Sequence, residues 1–260
     1  MLRAGEIFKA RSCLTVLVFG PSGTGKTTWS AKAPMPYHLL CEQQGLESIA
    51  VTNPNSLVHM VQSYPDFLEK MEAIKRGVPC LYEKQPAYKF KSGDTTVVCQ
   101  TVVIDSITEV NEMALEHHGK GKAKLSFDVW NLVQKDMKHI LSDLRSLPIN
   151  IICLALQGSE TDDEGAVIQY TPEMYGKAKS FAPRYFSAVG VSAKVRTKKA
   201  TKYMIGWDAK GKYVSKRPPV PESIDFPSAT TASLGSILMT IYPDGNTPHR
   251  AVDKPGNLDA

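Results

Sequence analysis

The feature that most constrains this chain is a glycine-rich loop between an apolar run and the start of a helix. Residues 13–30 read CLTVLVFGPSGTGKTTWS, and positions 20–27 follow the pattern G-x-x-x-x-G-K-T. A short apolar run with β-branched members is typical of a strand buried on both faces. Glycines after such a strand let backbone N–H groups converge on phosphate oxygens, and the N-terminus of the next helix favours an anion. The sequence therefore predicts a phosphate-binding loop.

This loop and one later aspartate predict a site for ATP and Mg²⁺. We expect Lys26 to reach the β- and γ-phosphates and the Thr27 hydroxyl to ligate Mg²⁺. Asp105 ends the apolar run TVVID, where a second carboxylate is expected to hold the magnesium through water. The predicted nucleotide-binding residues are Gly20, Pro21, Ser22, Gly23, Thr24, Gly25, Lys26, Thr27 and Thr28.

Strand and helix patterns alternate along the chain. Apolar runs predict strands at 13–19 and 36–40, a strand or hairpin at 95–106, and a strand at 149–157. Periodicity predicts helices at 26–33, 55–76, 107–117 and 126–147, the last with Ser126 as its N-cap and an apolar stripe from Trp130 to Leu144. The alternation predicts an α/β fold with a mostly parallel sheet flanked by helices. We expect an ATPase domain over 1–217 and a proline-rich extension over 218–260, irregular and ending in a disordered tail.

Positive charge is concentrated in one strand-rich segment. The net charge is +5, but residues 176–217 hold twelve Lys or Arg and one acid, so this segment carries +11 and the rest carries −6. Such segregation indicates a polyanionic partner. Aromatic residues lie among these charges, as in proteins that stack the bases of a single strand, although the alternation here also fits plain strands. These aromatics are Phe181, Tyr185, Phe186, Tyr203, Trp207 and Tyr213.

The catalytic base is not where many ATPases have it. The residue after Asp105 is Ser106 rather than a glutamate, so a base must come from elsewhere if hydrolysis occurs. Glu42 follows the predicted second strand, in PYHLLCEQQG. Ligands of open α/β folds bind at the carboxyl edge of the sheet, where Glu42 is expected. Glu42 is therefore our candidate, with an exposed loop glutamate as the alternative.

The order of these motifs resembles the core of the RecA recombinases. After the phosphate loop come LLCEQQGLES, TVVIDSIT, a glycine-containing polar loop, an amphipathic helix and IICLALQG. The resemblance covers roughly residues 12–200 and implies that Glu42 polarises the attacking water while Gln157 senses the γ-phosphate. With Lys26, these are the predicted catalytic residues. The chain is similar above all to small phage-encoded RecA-like ATPases that act in single-strand annealing or recombination.

The same resemblance implies partners. DNA-contacting loops are expected at 117–126 and 158–179, and the predicted DNA contacts are Lys120, Lys122, Lys124, Lys177 and Lys179. The candidates to reach the nucleotide of a neighbouring subunit are Lys198, Lys199, Lys216 and Arg217. We expect single-stranded DNA, a homo-oligomeric ring or filament, and a single-strand-binding protein as partners. Twelve residues precede the first strand, too few for the N-terminal polymerisation element of the full-length recombinases, which leaves filament formation open.

Other functions stay open. A phosphotransferase would need an arginine-rich lid, which the lysine-dominated basic segment does not provide. An AAA-type remodeller or packaging motor is expected to have two consecutive acidic residues at the position where this chain has Asp105-Ser106. A non-hydrolysing nucleotide switch remains if Glu42 is misplaced.

Composition points to a cytoplasmic protein. The longest apolar runs are far shorter than the roughly 20 residues that cross a bilayer. The five cysteines form no C-x-x-C motif, which favours free thiols in a reducing compartment. The cytoplasm would be that of a bacterial host if the chain is phage-encoded.

Overall fold

Strands and helices alternate through most of the chain. The computed structural model describes residues 13–120, 125–196, 200–208, 211–219, 229–231 and 233–241. Its strands are β1 Thr15–Phe19, β2 Pro36–Leu40, β3 Leu57–Met60, β4 Val78–Tyr82, β5 Gln85–Ser92, β6 Thr95–Cys99, β7 Thr101–Asp105, β8 Asn150–Ala155, β9 Gln157–Thr161, β10 Val167–Pro172, β11 Ala188–Arg196, β12 Thr201–Gly206 and β13 Ala229–Thr230. Its helices are α1 Lys26–Ser30, α2 Gln44–Thr52, α3 Tyr64–Lys75, α4 Ile107–Gly119, α5 Phe127–Ser146, α6 Ala178–Phe181 and α7 Leu234–Ile241, with a 3₁₀ helix at Ala182–Tyr185.

Eight strands form the central sheet in the order β13-β12-β11-β1-β8-β7-β2-β3. The six strands from β11 to β3 are parallel, and β12 and β13 extend one edge in antiparallel fashion. Parallel neighbours need long crossover connections, which the helices supply. The predicted α/β class with a mostly parallel, helix-flanked sheet is confirmed. The loop after β1 opens at the carboxyl edge of the sheet, between β8 and β11, where such folds bind ligands.

The sheet is covered with apolar side chains on both faces. Along β1, Leu17 and Phe19 belong to one core, while Val16 and Val18 belong to the other, because successive side chains of a strand point to opposite faces. Residues of α3, α4 and α5 complete the first core, among them Phe67. This two-sided burial explains why the predicted strands read as continuous apolar runs rather than alternating ones.

The predicted helix over 55–76 is wrong in its first part. Residues Leu57–Met60 form β3, and the helix begins only at Tyr64, where Ser63 caps it by accepting a hydrogen bond from the Asp66 N–H at 3.4 Å. Pro65 therefore lies in the first turn, where a helix tolerates proline.

Strands β4, β5 and β6 form a separate three-stranded antiparallel sheet. The sequence prediction recognised only its last strand, as part of the strand or hairpin at 95–106. That segment divides at Gln100 into β6, in the small sheet, and β7, in the central sheet.

The proline-rich extension contributes a helix to the second core. In α7, Leu234, Ile237 and Leu238 are buried in the cluster that holds Trp29 and Trp207, whose ring centroids lie 6.2 Å apart. The predicted disordered tail, roughly the last fifteen residues, lies outside the described residues. Within the described ranges, every helix is too short or too polar to cross a membrane.

Candidate nucleotide-binding site

The phosphate loop is held in shape by β11. A Cβ added at Gly20 would lie 2.2 Å from the Ser192 Oγ and 2.6 Å from its carbonyl oxygen, so only glycine allows this close approach. The hydroxyls of Thr24 and Ser192 lie 2.6 Å apart, within hydrogen-bonding distance. Gly23 and Gly25 have φ values of +73° and +81°, a left-handed conformation that favours glycine. The protein's own contacts therefore fix the path of the loop into α1.

Lys26, the first residue of α1, is buried beneath the loop. Its Nζ donates hydrogen bonds to the carbonyl oxygens of Gly20 at 2.8 Å and Pro21 at 3.0 Å. Burial lowers the pKa of Lys26, and the nearby carboxylates of Asp105 and Glu42 oppose that shift. An ammonium held by two neutral carbonyls can exchange them for phosphate oxygens, because hydrogen bonds between charged partners are stronger.

The two predicted magnesium ligands are in direct contact. Thr27 Oγ1 donates a hydrogen bond to Asp105 Oδ2 at 2.8 Å. Burial raises the pKa of Asp105 to about 6, while the hydrogen bond from Thr27 acts in the opposite direction. Gly45 packs closely here, because an added Cβ would lie 2.7 Å from Leu40 Cδ1 and 3.6 Å from Asp105 Oδ2. A hydroxyl and a carboxylate are the oxygen ligands that Mg²⁺ prefers, and these residues fit it.

Glu42 lies beside Asp105 and Ser106 because their strands are neighbours. Leu40 of β2 is in register with Asp105 of β7, so the residues that follow the two strands meet. Ser106 Oγ donates to Glu42 Oε1 at 3.4 Å and accepts from the Glu109 N–H at 3.3 Å as the N-cap of α4. The peptide bond between Asp105 and Ser106 is cis. The serine at the position where many ATPases have a glutamate therefore contacts Glu42, the predicted base.

One pocket of about 190 Å³ brings most of these residues together. Of the predicted nucleotide-site and catalytic residues, those that line it are Ser22, Gly23, Gly25, Lys26, Thr27, Thr28, Glu42 and Asp105. Gly20, Pro21 and Thr24 shape the loop from outside its lining. Gln157 does not line the pocket, but its neighbour Leu156 does.

A single threonine connects this pocket to the β9–β10 hairpin. Thr108, in the first turn of α4, accepts a hydrogen bond from the Leu156 N–H at 3.0 Å and donates one to the Glu173 carbonyl at 2.9 Å. Leu156 and Glu173 flank the two ends of the hairpin. Gln157 begins β9, and its side-chain oxygen is buried without a hydrogen-bond partner among the described residues. Both ends of the hairpin are therefore tied to the helix that follows Asp105.

Three of the five predicted DNA contacts lie in the described part of the chain. Lys120 is exposed at the C-terminus of α4, and Lys177 is exposed just before α6. Lys179 lies 3.7 Å from Glu160 of the hairpin, so an acid partly compensates its charge. Lys122 and Lys124 lie outside the described residues.

Two of the four candidates for action on a neighbouring subunit lie away from the pocket of their own chain. Lys216 and Arg217 border a cavity lined by residues 13–15, at the amino end of β1, whereas the phosphate loop follows its carboxyl end. Lys198 and Lys199 lie outside the described residues.

The aromatics of the basic segment divide into two groups. Phe186 and Trp207 are core residues, with 3% and 1% exposure, so the prediction that aromatics of this segment stack bases is wrong for these two. Phe181, Tyr185 and Tyr213 are half-buried, and Tyr203 is 48% exposed. The strand alternative that the sequence left open holds for β11 and β12, but burial there does not alternate. The first five residues of β11 are buried beside β1 in the central sheet, and its last four are exposed.

Sequence reasoning missed four residues that shape the site. Ser106 entered the sequence argument only as a missing glutamate, and Gly45, Thr108 and Ser192 did not enter it at all. The position of Thr108, three residues after Asp105, was a signal that could have identified it. Ser192 lies 168 residues from Thr24, and no local pattern marks its contact.

The comparisons with known proteins agree with the phosphate loop. Residues 12–218 match the family model AAA_24, an AAA domain. A search of curated proteins finds no match.

Solved structures give distant similarities. One is a prototypical ATPase from the type III secretion system of pathogenic bacteria, with 11% identity, a TM-score of 0.42, and coverage of 72% of this chain and 56% of that one. Another is the flagellar accessory protein FlaH from Methanocaldococcus jannaschii, with 10% identity, a TM-score of 0.39, and coverage of 88% and 91%. A third is a KaiC-like protein from Pyrococcus horikoshii OT3, with 12% identity, a TM-score of 0.37, and coverage of 74% and 76%. This chain thus spans little more than half of the secretion ATPase.

Proposed function

The chain belongs to the AAA domain family, which makes it a P-loop ATPase, and from that premise we propose that it hydrolyses ATP with Mg²⁺ and couples turnover to single-stranded DNA. The proposed setting is DNA recombination, annealing or repair. The observation that carries the ATPase proposal is the one pocket shared by Lys26, Thr27, Asp105 and Glu42.

The side chains of this pocket suit phosphoryl transfer to water. Glu42 accepts a proton from water while the water oxygen bonds to the γ-phosphorus. The bond from that phosphorus to the β–γ bridging oxygen breaks, which gives ADP and inorganic phosphate. Lys26 stabilises the charge that gathers on the phosphate oxygens, and Ser106 orients Glu42 through their 3.4 Å contact. Magnesium, when bound by Thr27 and Asp105, supplies further positive charge to the phosphates.

The hairpin is the proposed route from nucleotide to DNA. A change at the γ-phosphate reaches Thr108 through α4, and Thr108 holds the backbone at both ends of the hairpin. Gln157, at the start of β9, is the proposed sensor. Because a ligand shifts an equilibrium only by its differential affinity for two states, DNA affinity would then depend on the nucleotide bound.

Assembly and partners follow from the resemblance to RecA recombinases. We infer a homo-oligomer, ring or filament, in which Lys216 or Arg217, or the pair Lys198-Lys199, reaches the nucleotide of a neighbour. Lys216 and Arg217 lie at the amino end of β1, away from the pocket of their own chain, which leaves them available for this contact. A single-strand-binding protein is the further proposed partner.

The test is steady-state ATP hydrolysis with and without oligo-dT, on the unmodified chain and on Lys26→Ala. We expect Mg²⁺-dependent turnover that oligo-dT stimulates, and no turnover from the variant. If oligo-dT does not change the rate of hydrolysis, the ATPase proposal stands and the proposed coupling to DNA is wrong. No hydrolysis in any condition, with ATP still bound, would favour a nucleotide switch.

The family match supports one alternative, an AAA-type remodelling or packaging motor. Such a motor would be stimulated by double-stranded DNA or by a protein substrate rather than by oligo-dT. The same hydrolysis assay with duplex DNA distinguishes the two functions.

A further inference from the structure

Two adjoining cavities form one groove along α5, α6, the 3₁₀ helix and the amino end of β1. Their volumes are about 700 Å³ and 690 Å³, and they share Arg145, Arg184 and Tyr185. We call this surface the basic groove, and its cationic residues are Lys138, Arg145, Lys177, Arg184, Lys216 and Arg217.

The groove is positive without compensation from its own lining. Among the described residues that line the two cavities there is no Asp or Glu. Lys138, Arg145, Lys177 and Arg184 also form no ion pair with any acid of the described ranges, in contrast to Lys179 with Glu160. Cationic clefts of one sign concentrate an anionic ligand.

The spacing of the cations suits an extended ligand rather than a single phosphate. Lys138 and Arg145 lie seven residues apart on α5, about 10 Å along the helix axis at 1.5 Å per residue. Lys177 lines the same cavity as Lys138, and Arg184 lies where the two cavities meet. A site for one small anion would instead need its cations to converge.

Aromatic rings lie between the charges. Phe181 and Tyr185 line the groove with their ring centroids 6.2 Å apart, and Lys138 Nζ lies 5.3 Å from the Phe181 centroid. Both rings are half-buried, so each is held in place and still presents a surface. Aromatic faces beside a cationic track are how proteins hold single strands without sequence preference.

The groove is distinct from the nucleotide pocket. It reaches residues 13–15 at the amino end of β1, whereas the phosphate loop follows the carboxyl end, about 16 Å away for five residues at roughly 3.3 Å each. Its other end meets the segment after the hairpin, where a Cβ at Gly176 would lie 3.2 Å from the Gln134 Nε2. A ligand in the groove could therefore contact the segment that follows the hairpin without contacting ATP.

We propose that the basic groove binds single-stranded DNA, with Lys138, Arg145, Lys177 and Arg184 on the phosphates and Tyr185 against a base. This rests on the proposed function and gives the DNA a binding surface that includes two cations of α5, outside the basic segment of the sequence. An acidic protein would satisfy the charges but not the paired aromatic rings, so nucleic acid is the better match.

The test is fluorescence anisotropy of labelled oligo-dT with the full chain over a range of salt concentrations. The variants are Lys138→Gln and Arg184→Gln, singly and together, and Tyr185→Leu. Lys135→Gln is the matched control, because Lys135 is an exposed lysine of the same helix that does not line the groove. Thermal unfolding by circular dichroism checks that each variant folds.

For the two charge variants we expect a single substitution to weaken binding by about fivefold and to reduce the slope of log K against log salt by about 0.7, the value for one phosphate contact of a single strand. Tyr185→Leu should weaken binding by about tenfold with an unchanged slope, because stacking releases no counterions. The control should match the unmodified chain. Photocrosslinking provides a second measurement that uses only the unmodified chain. An oligonucleotide that contains 4-thiothymidine should crosslink to the peptide 177–186.

Three results overturn the proposal, and they differ in what they say of the proposed function. If the unmodified chain binds oligo-dT and the groove variants bind it equally well, the groove is wrong and DNA binds elsewhere. If the unmodified chain hydrolyses ATP without binding oligo-dT, both the groove and the DNA part of the proposed function fail. Labelled poly-glutamate serves as a second probe in the same assay. If the groove variants lose binding to poly-glutamate but keep their binding to oligo-dT, the groove binds an acidic protein instead.

Discussion

Thr27 and Asp105 lie 78 residues apart in sequence, and the threonine hydroxyl donates a 2.8 Å hydrogen bond to the aspartate carboxylate. The contact joins the first turn of α1 to the end of β7 and brings two oxygen ligands for Mg²⁺ together. It exists because β1 and β7 are both neighbours of β8, with parallel directions, so that their carboxyl ends open onto one edge.

Replacing Thr27 with valine removes the hydroxyl while nearly keeping the side-chain volume. We expect the Mg²⁺ concentration for half-maximal ATP hydrolysis to rise by at least about tenfold, since altered ligand shells cost this much in metal affinity. Mg²⁺ titration of the ATPase rate measures it. Thr27→Ser keeps the hydroxyl and should behave like the unmodified chain, and equal Mg²⁺ dependence in all three proteins would contradict the assignment.

Glu42→Gln removes the proposed base and keeps the shape of its side chain. We expect the hydrolysis rate to fall by about 100-fold or more, as for the loss of a general base, with ATP affinity nearly unchanged. Single-turnover hydrolysis and equilibrium binding of a fluorescent ATP analogue separate the two effects. Glu47→Gln, in the exposed part of α2, is the matched control and should retain full rate. A Glu42→Gln chain that hydrolyses normally would show that the base lies elsewhere.

Thr108 is 3% exposed and forms hydrogen bonds with two backbone groups. We therefore expect its replacement to change both the free energy of unfolding and the stimulation of ATP hydrolysis by DNA. Thr108→Val removes two part-buried hydrogen bonds, from the Leu156 N–H and to the Glu173 carbonyl, which should lower the unfolding free energy by about 1–3 kcal/mol at roughly 0.5–1.5 kcal/mol for each bond. Thr108→Ser keeps both bonds and should restore most of it. Urea unfolding gives the first quantity, and the ratio of ATPase rates with and without oligo-dT gives the second. An unchanged ratio in a folded Thr108→Val chain would remove this residue from the proposed route.

His38 makes the folded chain sensitive to acid. It is fully buried in β2, and burial lowers its pKa from 6.5 to about 4. Between pH 6.5 and about 4 the unfolded chain therefore binds more protons than the folded chain, so the unfolding free energy falls as the pH falls through this window. The full effect is about 3 kcal/mol at 1.36 kcal/mol for each unit of pKa difference.

The variant His38→Leu removes this group. Urea unfolding from pH 7 to pH 4 should show a shallower loss of stability than in the unmodified chain, by up to about 3 kcal/mol at the acid end. An identical slope in the two proteins would mean that other groups govern acid unfolding.

Leu238 tests whether α7 belongs to the folded core. It is 2% exposed in the cluster with Trp29 and Trp207, so Leu238→Ala should lower the unfolding free energy by about 2–5 kcal/mol. Leu46→Ala is the control, because Leu46 is 43% exposed and its truncation should cost only about 0.5 kcal/mol. Urea unfolding compares the two, and equal stabilities would show that α7 contributes little.

The agreement between sequence and structure is best where a pattern is local. Local sequence predicts the conformation of three segments, namely the apolar run at 13–19, the glycine-rich loop and the periodic helix at 126–147. The structure has β1, the loop and α5 at these positions. Trp130 shows the limit of the method, since it lies half-buried against Tyr175 while Val129 occupies the core. Periodicity identifies a helix, but packing decides which residue at the margin of its stripe is buried.

By itself, the sequence determined the phosphate loop, the alternating α/β pattern and the position of Glu42 after its strand, because these depend on backbone conformation and on hydrophobic spacing over a few residues. Only the tertiary structure decided that Ser106 contacts Glu42, that Thr108 holds both ends of a hairpin, and that cations of α5 and of the basic segment line one groove. Such contacts join residues that lie far apart in sequence. They arise from strand order and helix packing, which no local pattern in a single sequence records.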